Sequence, residues 1–544
     1  MRLLNVTSMR LEEFFGSNIP PYAILSHCWG DGEVSFQDIN SSGWKRKHGA
    51  VKINHACDQT RRDGSEYLWI DTCCIDKRSS SELSEAINSM YTWYEGAQIC
   101  YAYLEDVSVP TASLETPLVL KGYEDLEFQK SNWFTRGWTL QELIAPGKVV
   151  FYGKEWNYLG TKKERASQIS GFTRIPEKVL KEPLELEYCS VARRMSWAAG
   201  RQTTRVEDIA YCLIGLFDVH IPLLYGEGTQ AFIRLQEEII RTSDDQSVFA
   251  WSTRLDAPWD KDSFLDSGVL AGSPAAFAGS GKIIPFPIKA KRQPYSMTNK
   301  GLRIELRLWP RRDKASDAYH IAILNCQYEN DFTGCIGIIL KETTDPSVFS
   351  RHTGHDSGMK KIDVAEILKS DGKLTTIYIR KNARVAEKLR RYETCLVQAE
   401  SMQKQGYNIV ETRPKDSVWN ADSHTLQIWP NRRIHRQTPW AAFRFHNNEE
   451  NLGFVVFVQI SEAGDQAWVK TRSVPIGGMT PNWILAEVKT RSCNSTNLYY
   501  LNKGVSEEYK SMKEIKTKVC GVERLNQEIW ILEVDMKELV HVSE

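Results

Sequence analysis

Two periodicities divide the chain. Over about the first 160 residues, short apolar runs alternate with amphipathic stretches of helical spacing. "YAILSHCWG" is an apolar run closed by polar residues and glycine, which suits the C-terminal end of a buried strand. "AVKINHACDQTRRDG" has helical spacing and a glycine stop, and "YLWIDTCCI" is a second buried strand. "SSSELSEAINSMYTWYEGA" opens on serines suited to an N-cap and repeats apolar residues at Leu83, Ile87 and Met90. "QICYAYLEDV" is a third strand, "WFTRGWTLQELIAP" a short helix, and "KVVFYG" a fourth strand. Strand and helix alternating at this pace predict βαβ units, with a parallel sheet covered by helices on both faces. Such sheets bind ligands beyond the carboxyl ends of their strands. Ser26, His27 and Trp29 fall there after the first strand, and Asp71 after the second.

A helical block is expected over about 185–242, with Ile209, Leu213, Leu216 and Phe217 as an apolar stripe. Within it, "GRQTTRVED" puts Arg201 and Arg205 in one polar turn, where they either meet an anion or face solvent. From about 255 to 544 the period changes to two, and turns rich in Gly, Pro, Asn and Asp predict a β-rich region. It contains an internal echo, about 300–345 and 424–465. "LRIELRLWPRR" precedes "YHIAILNCQYENDFTGCIGIIL" as "HTLQIWPNRR" precedes "WAAFRFHNNEENLGFVVFVQI". Trp309 and Trp429 are spaced as Leu340 and Ile460 are, so two related sandwich-like units are expected.

The totals narrow the classes. A chain of 544 residues exceeds one core. Its 69 basic and 69 acidic residues cancel, which disfavours nucleic acid and anionic membrane as bulk electrostatic partners. The N-terminus reads as a strand start rather than a signal peptide, and no run approaches the roughly 20 apolar residues of a membrane span. A cytoplasmic protein is expected. Its 12 cysteines show no CxxC pair, and the histidines no ligand-like spacing, so no metal is expected. Cys73 and Cys74 point to opposite faces of a strand and read as structural thiols.

The chemistry concentrates in "WFTRGWTLQELIAPGKVVFYG", residues 133–153. Glu142 lies one helical turn after Trp138, so the two share a face, while Leu140 can be core. A carboxylate there is either solvated at the edge of a core or held in a pocket.

The blocks "YAILSHCWG", "LWIDTCCIDK", "RGWTLQELIAP" and "TTRVEDIAYCLIGLFDVHIPLLYGEG", in this order, closely resemble the fungal heterokaryon incompatibility (HET) domain over about residues 1–250. The resemblance implies a role in non-self recognition, in which incompatible fusion triggers cell death. Some members of that family continue into a nucleotide-binding module with a P-loop, but no GxxxxGK[ST] occurs here. More distantly, the element order is similar to Toll/interleukin-receptor (TIR) domains, several of which cleave NAD. In plant-type members a helix carries Trp-Cys-Leu-x-Glu-Leu with a catalytic glutamate; "WTLQEL" keeps that register, with Thr139 in place of the cysteine. The fold implied is a TIR/flavodoxin-like α/β domain with a helical extension, followed by the β-rich region.

That resemblance assigns the catalytic role to Glu142. Ser26, His27, Trp29, Asp71, Arg136 and Trp138 are then candidates to bind NAD or a related nucleotide, which is a substrate and not a cofactor. One carboxylate suffices, because nicotinamide leaves a cationic pyridinium as a neutral molecule and needs no general acid, unlike an ordinary glycoside. TIR-like enzymes commonly need assembly, so self-association or a protein partner is expected. The alternative is a non-enzymatic adaptor with the β-rich region as sensor. The enzyme reading requires Glu142 in a cleft opposite Ser26, His27 or Asp71. The adaptor reading leaves it on a flat surface or in an ion pair. A cysteine hydrolase using Cys28 with His27 is disfavoured, since neighbouring strand side chains diverge.

Overall fold

The computed structural model describes residues 1–108 (without 17 and 42), 123–252, 266–286, 293–310, 319–353 (without 344), 358–363, 365, 374–381, 393–413, 418–428, 440–449, 452–460, 467–473, 496–500, 512–524 and 527–539. Two compact units divide it, Met1–Arg384 and Val385–Glu544.

A seven-stranded sheet organises the N-terminal region. Its strands are β1 (Arg2–Asn5), β2 (Arg10–Glu13), β3 (Ala23–His27), β4 (Tyr67–Ile70), β5 (Ile99–Tyr103), β6 (Val149–Tyr152) and β7 (Tyr158–Thr161), in the spatial order β2-β1-β4-β3-β5-β6-β7. β3, β4, β5 and β6 pair in parallel, while β1, β2 and β7 are antiparallel additions at the edges. The sheet is therefore mixed at its margins and parallel at its centre. Every residue of β3, β5 and β6 is buried, as continuous apolar strands covered on both faces require.

The helices are α1 (Phe36–Ile39), α2 (Ala50–Arg62), α3 (Ser80–Gly96), α4 (Tyr123–Lys130) and α5 (Thr139–Ile144). α3 starts where the Ser79 hydroxyl accepts the Glu82 N–H, and buries Ala86, Ile87, Met90 and Tyr94 at helical spacing. After β7 come α6 (Ala166–Thr173), α7 (Glu177–Lys181), α8 (Val191–Ala198), α9 (Asp208–Tyr211) and α10 (Gln230–Thr242). The expected stripe lies on short pieces rather than one helix: Leu213 follows α9, and Leu216 and Phe217 sit in a 3₁₀ turn. All three are buried and Ile209 is half-buried. Among the described residues no helix is long and apolar enough to cross a membrane.

β-rich structure follows, but the chain does not divide near residue 250. An eight-stranded sheet, built on Gly301–Pro310, Tyr319–Ile323, Gly334–Glu342 and Leu374–Ile379, belongs to the first unit. Polar contacts tie it to the helical block. Gln236 exchanges two hydrogen bonds with the Ala271 backbone, at 2.8 and 2.9 Å. Ser280 Oγ donates to the Ala250 carbonyl at 2.6 Å. Arg351, fully buried, donates to the carbonyls of Phe249 and Trp251.

The second unit holds a six-stranded and a four-stranded sheet, which contribute side chains to one apolar cluster. The sequence echo is not repeated in the pairing. Its first copy forms three neighbouring strands of the eight-stranded sheet. In the second, Thr425–Ile428 joins the six-stranded sheet, while Trp440–Asn447 and Leu452–Ile460 pair in the four-stranded one. Trp429 lies outside the described residues.

Candidate functional site

Among the parallel strands the order is second, first, third, fourth in chain sequence, so the winding reverses direction beside β3. Crossover connections leave β3 and its neighbour β5 toward opposite sides there, which opens a crevice at their carboxyl ends. Ser26 and His27 are the last residues of β3, paired with Ala102 and Tyr103 of β5. α5 delivers Glu142 to this point, and the Ser26 hydroxyl donates to Glu142 Oε2. Behind it, Trp133 Nε1 donates to Ser26 Oγ at 2.8 Å, so the hydroxyl hydrogen is left for the carboxylate.

Glu142 is 7% exposed, and among the described residues no cation lies within ion-pair distance of it. Burial pushes its carboxyl up to about 8; the Ser26 hydrogen bond opposes that, the Asp71 charge adds to it, and the Arg136 and Arg201 charges oppose it. The carboxyl is thus poised near neutrality at the end of a parallel strand. This is neither a flat solvated surface nor a structural salt bridge.

The other expected residues divide. His27 is buried, with Nε2 at 3.9 Å from both a Glu33 and an Asp71 carboxylate oxygen. Burial holds its imidazole well below the usual range, and the Lys52, Lys77 and Arg136 charges act the same way, so it is a neutral ring. Asp71 accepts from Trp29 Nε1 at 2.8 Å, and burial raises its carboxyl despite Lys77 and that hydrogen bond. Trp29 is 49% exposed, with the Lys77 ammonium 3.3 Å from its ring centroid. Arg136 is half-buried, its charge felt at His27, Cys28 and Glu142, and no described side chain pairs with its guanidinium.

Trp138 departs from the expectation. It is half-buried and packs against the apolar core at the start of α5, with Asp208 of α9 near enough for the indole to favour that carboxylate's charged form. Arg201 turns inward instead of meeting an anion at the surface, and Arg205 stacks on Tyr225 with its guanidinium 4.4 Å from the ring centroid. Burial also pushes the Cys28 thiol up to about 12, which removes it as a nucleophile.

Three contributors escape a reading of the sequence. Trp133 looks like ordinary core, Glu33 like a loop residue, and Lys162 like a solvated lysine. Lys162 is buried, and its ammonium donates to the carbonyls of Leu143, Ile144 and Pro146 at 3.0, 3.3 and 2.6 Å, capping the C-terminus of α5. Gly137 permits the approach at the other end. A Cβ there would lie 2.5 Å from Thr203 Cγ2, while the Gly137 N–H donates to the Gln202 carbonyl at 2.8 Å.

This strand-end site lies in an α/β region whose residues 22–119 match the family model for "Heterokaryon incompatibility protein (HET)". Residues 230–350 match a domain of unknown function, DUF8212, which spans the junction of the helical block with the eight-stranded sheet. The chain is similar to the vegetative incompatibility protein HET-E-1 of Podospora anserina, 49% identical over 224 residues. That match covers 41% of this chain and 16% of the relative, so only a small part of that protein's length is represented here. No solved structure matches.

Proposed function

We propose that this chain is an effector of heterokaryon incompatibility whose HET domain cleaves NAD at the nicotinamide–ribose bond, with Glu142 as the catalytic carboxylate and self-association as the condition for activity. The observation that carries this reading is the placement of Glu142, buried and, among the described residues, without an ion pair, against Ser26 at the strand end where the winding reverses. The second-first-third-fourth order of the parallel strands supports the TIR/flavodoxin-like relationship, and the similarity to a vegetative incompatibility protein supports the biological role. Cytoplasmic action belongs to the same proposal; a sensing role for the β-rich region belongs to the alternative, a non-enzymatic adaptor.

The chemistry fits one carboxylate. The C1′–N bond breaks with its electron pair on nitrogen, so nicotinamide leaves neutral and positive charge grows on the ribose. Glu142, ionised, stabilises that charge and bonds the ribose hydroxyls. Water then adds to C1′ and gives its proton to the carboxylate or to solvent. A cationic pyridinium entering beside Glu142 favours the ionised form, which offsets the burial that holds it protonated at rest. Arg136, without a side-chain partner, suits the diphosphate. Trp29 offers an exposed face for a base once Lys77 is displaced.

The test is nicotinamide release by the full chain, alone and fused to an oligomerising scaffold, in the wild type and Glu142→Gln. Release by the assembled wild type and its loss in a folded Glu142→Gln protein is the expected result. Assembled wild type that leaves NAD intact overturns the enzyme reading, and the domain is then an adaptor.

A further inference from the structure

We infer that Arg201 is a positioning residue for Glu142: carried by the helical block, it pins the turn that opens α5 and sets a positive charge in the field of that carboxylate. As a statement about catalysis this rests on the function proposed above; as a statement about Glu142 ionisation it stands by itself.

The guanidinium is 7% exposed and is spent on backbone and hydroxyl oxygens. Nη1 donates to the Arg136 carbonyl at 2.8 Å and to Thr139 Oγ1 at 3.0 Å, and Nε to the Trp197 carbonyl at 3.3 Å. Arg136 and Thr139 are the residues from which α5 starts. Thr139 in turn donates to the Trp133 carbonyl, which connects Arg201 to the Trp133–Ser26–Glu142 chain of hydrogen bonds.

Holding backbone carbonyls is a role that Arg201 shares with Arg351; two physical points concern its charge. A buried guanidinium without a carboxylate is costly, and among the described residues no acid lies within ion-pair distance of Arg201. Its charge is felt by the Cys212 thiol and by Glu142. Second, a cation beside the first turn of a helix opposes the helix dipole. Lys162 shows the opposite case, since it caps the C-terminus of the same helix, where a cation is favourable. The macrodipole therefore explains Lys162 and does not explain Arg201, whereas the presence of Glu142 does.

The groups facing Glu142 come from every element around it. They are Cys28 after β3, Asp71 after β4, Tyr94 on α3, Cys100 on β5, Arg136 before α5, and Arg201 with Cys212 from the helical block. Asp71 disfavours ionisation of Glu142, and the two guanidinium groups favour it. Arg136 acts on Glu142 more strongly than Arg201, but Arg201 is the buried one of the two and is fixed by its hydrogen bonds.

The experiment follows the Glu142 carboxyl by isotope-edited carboxyl spectroscopy from pH 5 to 10, identified by difference against Glu142→Gln, in the wild type, Arg201→Lys and Arg201→Met. In the Met variant the midpoint moves up by about one pH unit or more, equivalent to about tenfold in the ionised fraction at neutral pH. In the Lys variant, which keeps the charge but not the fork, the midpoint stays nearer the wild type. Where NAD is cleaved, the pH–rate profile of the Met variant moves by the same amount, and activity lost at pH 7 returns in part at pH 9. A folded Met variant with an unmoved midpoint overturns the inference. Should the Met variant fail to fold, the wild type decides: the Arg201 Nε–H resonance titrates with Glu142 and is flat in Glu142→Gln, and a resonance flat in both overturns it. If the assembled wild type leaves NAD intact, the enzyme reading fails while the titration still decides the role of Arg201.

Discussion

Glu142→Gln replaces a buried carboxylic acid by its neutral isostere, and its effect on stability is set by pH. Glu142 titrates near 4.5 in an unfolded chain and at about 8 in the fold, chiefly because burial disfavours the anion. Between those values the folded state holds a proton that the unfolded state has lost, so stability falls as pH rises through the window. Applying the linkage relation, the wild type gives up about 1 kcal/mol from this group by pH 5, about 3 by pH 7 and about 5 by pH 9. Glutamine gives up none. The Ser26 hydroxyl donates to either side chain, so that hydrogen bond is common to both.

The readout is the difference in unfolding free energy, wild type against Glu142→Gln, from urea titrations followed by tryptophan fluorescence at pH 5, 7 and 9. Constant effects of the substitution cancel in the change across pH. Glutamine gains on the wild type by roughly 4 kcal/mol from pH 5 to pH 9, reduced where water reaches the charged carboxylate during relaxation. A difference that stays constant within about 1 kcal/mol shows an ordinary solvated glutamate and refutes the argument from burial. A variant that gains stability at high pH while losing nicotinamide release marks a carboxylate held for chemistry at the expense of stability.

Ser26→Ala removes the hydrogen bond that favours the Glu142 anion, so its pKa rises further and the pH–rate profile for nicotinamide release shifts to alkaline; a profile that keeps its midpoint refutes the coupling. A fragment of residues 1–250 lacks Arg351 and Ala271, and so leaves the Phe249 carbonyl and the Gln236 amide without their partners. It gives no cooperative transition in near-ultraviolet circular dichroism, whereas residues 1–384 unfold cooperatively; a sharp transition for the shorter fragment would show that the HET region folds without the eight-stranded sheet.

The sheet was legible because its central strands are buried on both faces. Nothing polar interrupts "ICYAY" or "VVFY", and length separates them from the helices at periods of three and four. Glu142 was singled out by register and Ser26 by its place at a strand end, and the structure brings the two side chains together. Trp138 shows the limit of such reasoning. Helical spacing puts its indole on one face with Glu142, but the indole packs half-buried against the core, near Asp208 from distant sequence. The contacts across residue 250 were hidden for a related reason: several use main-chain carbonyls, which every residue has and no pattern marks.

Several residues that hydrophobic periodicity does not mark share a physical role. Lys162, Arg201 and Arg351 are buried cations spent on carbonyl oxygens. Hydrophobic periodicity reports which side chains leave water, but it is silent about which backbone groups a fold leaves unpaired. α5 exposes that deficit most. At six residues it is too short to hold together by its own hydrogen bonds, and it ends against a proline. Arg201 from the helical block fixes its start, and Lys162 from beyond β7 fixes its end. The position of Glu142 therefore depends on segments on either side of the sheet core. A resemblance confined to the strand–helix register can point to the carboxylate, whereas the residues that hold it in place become visible only when its helix termini are followed to their partners.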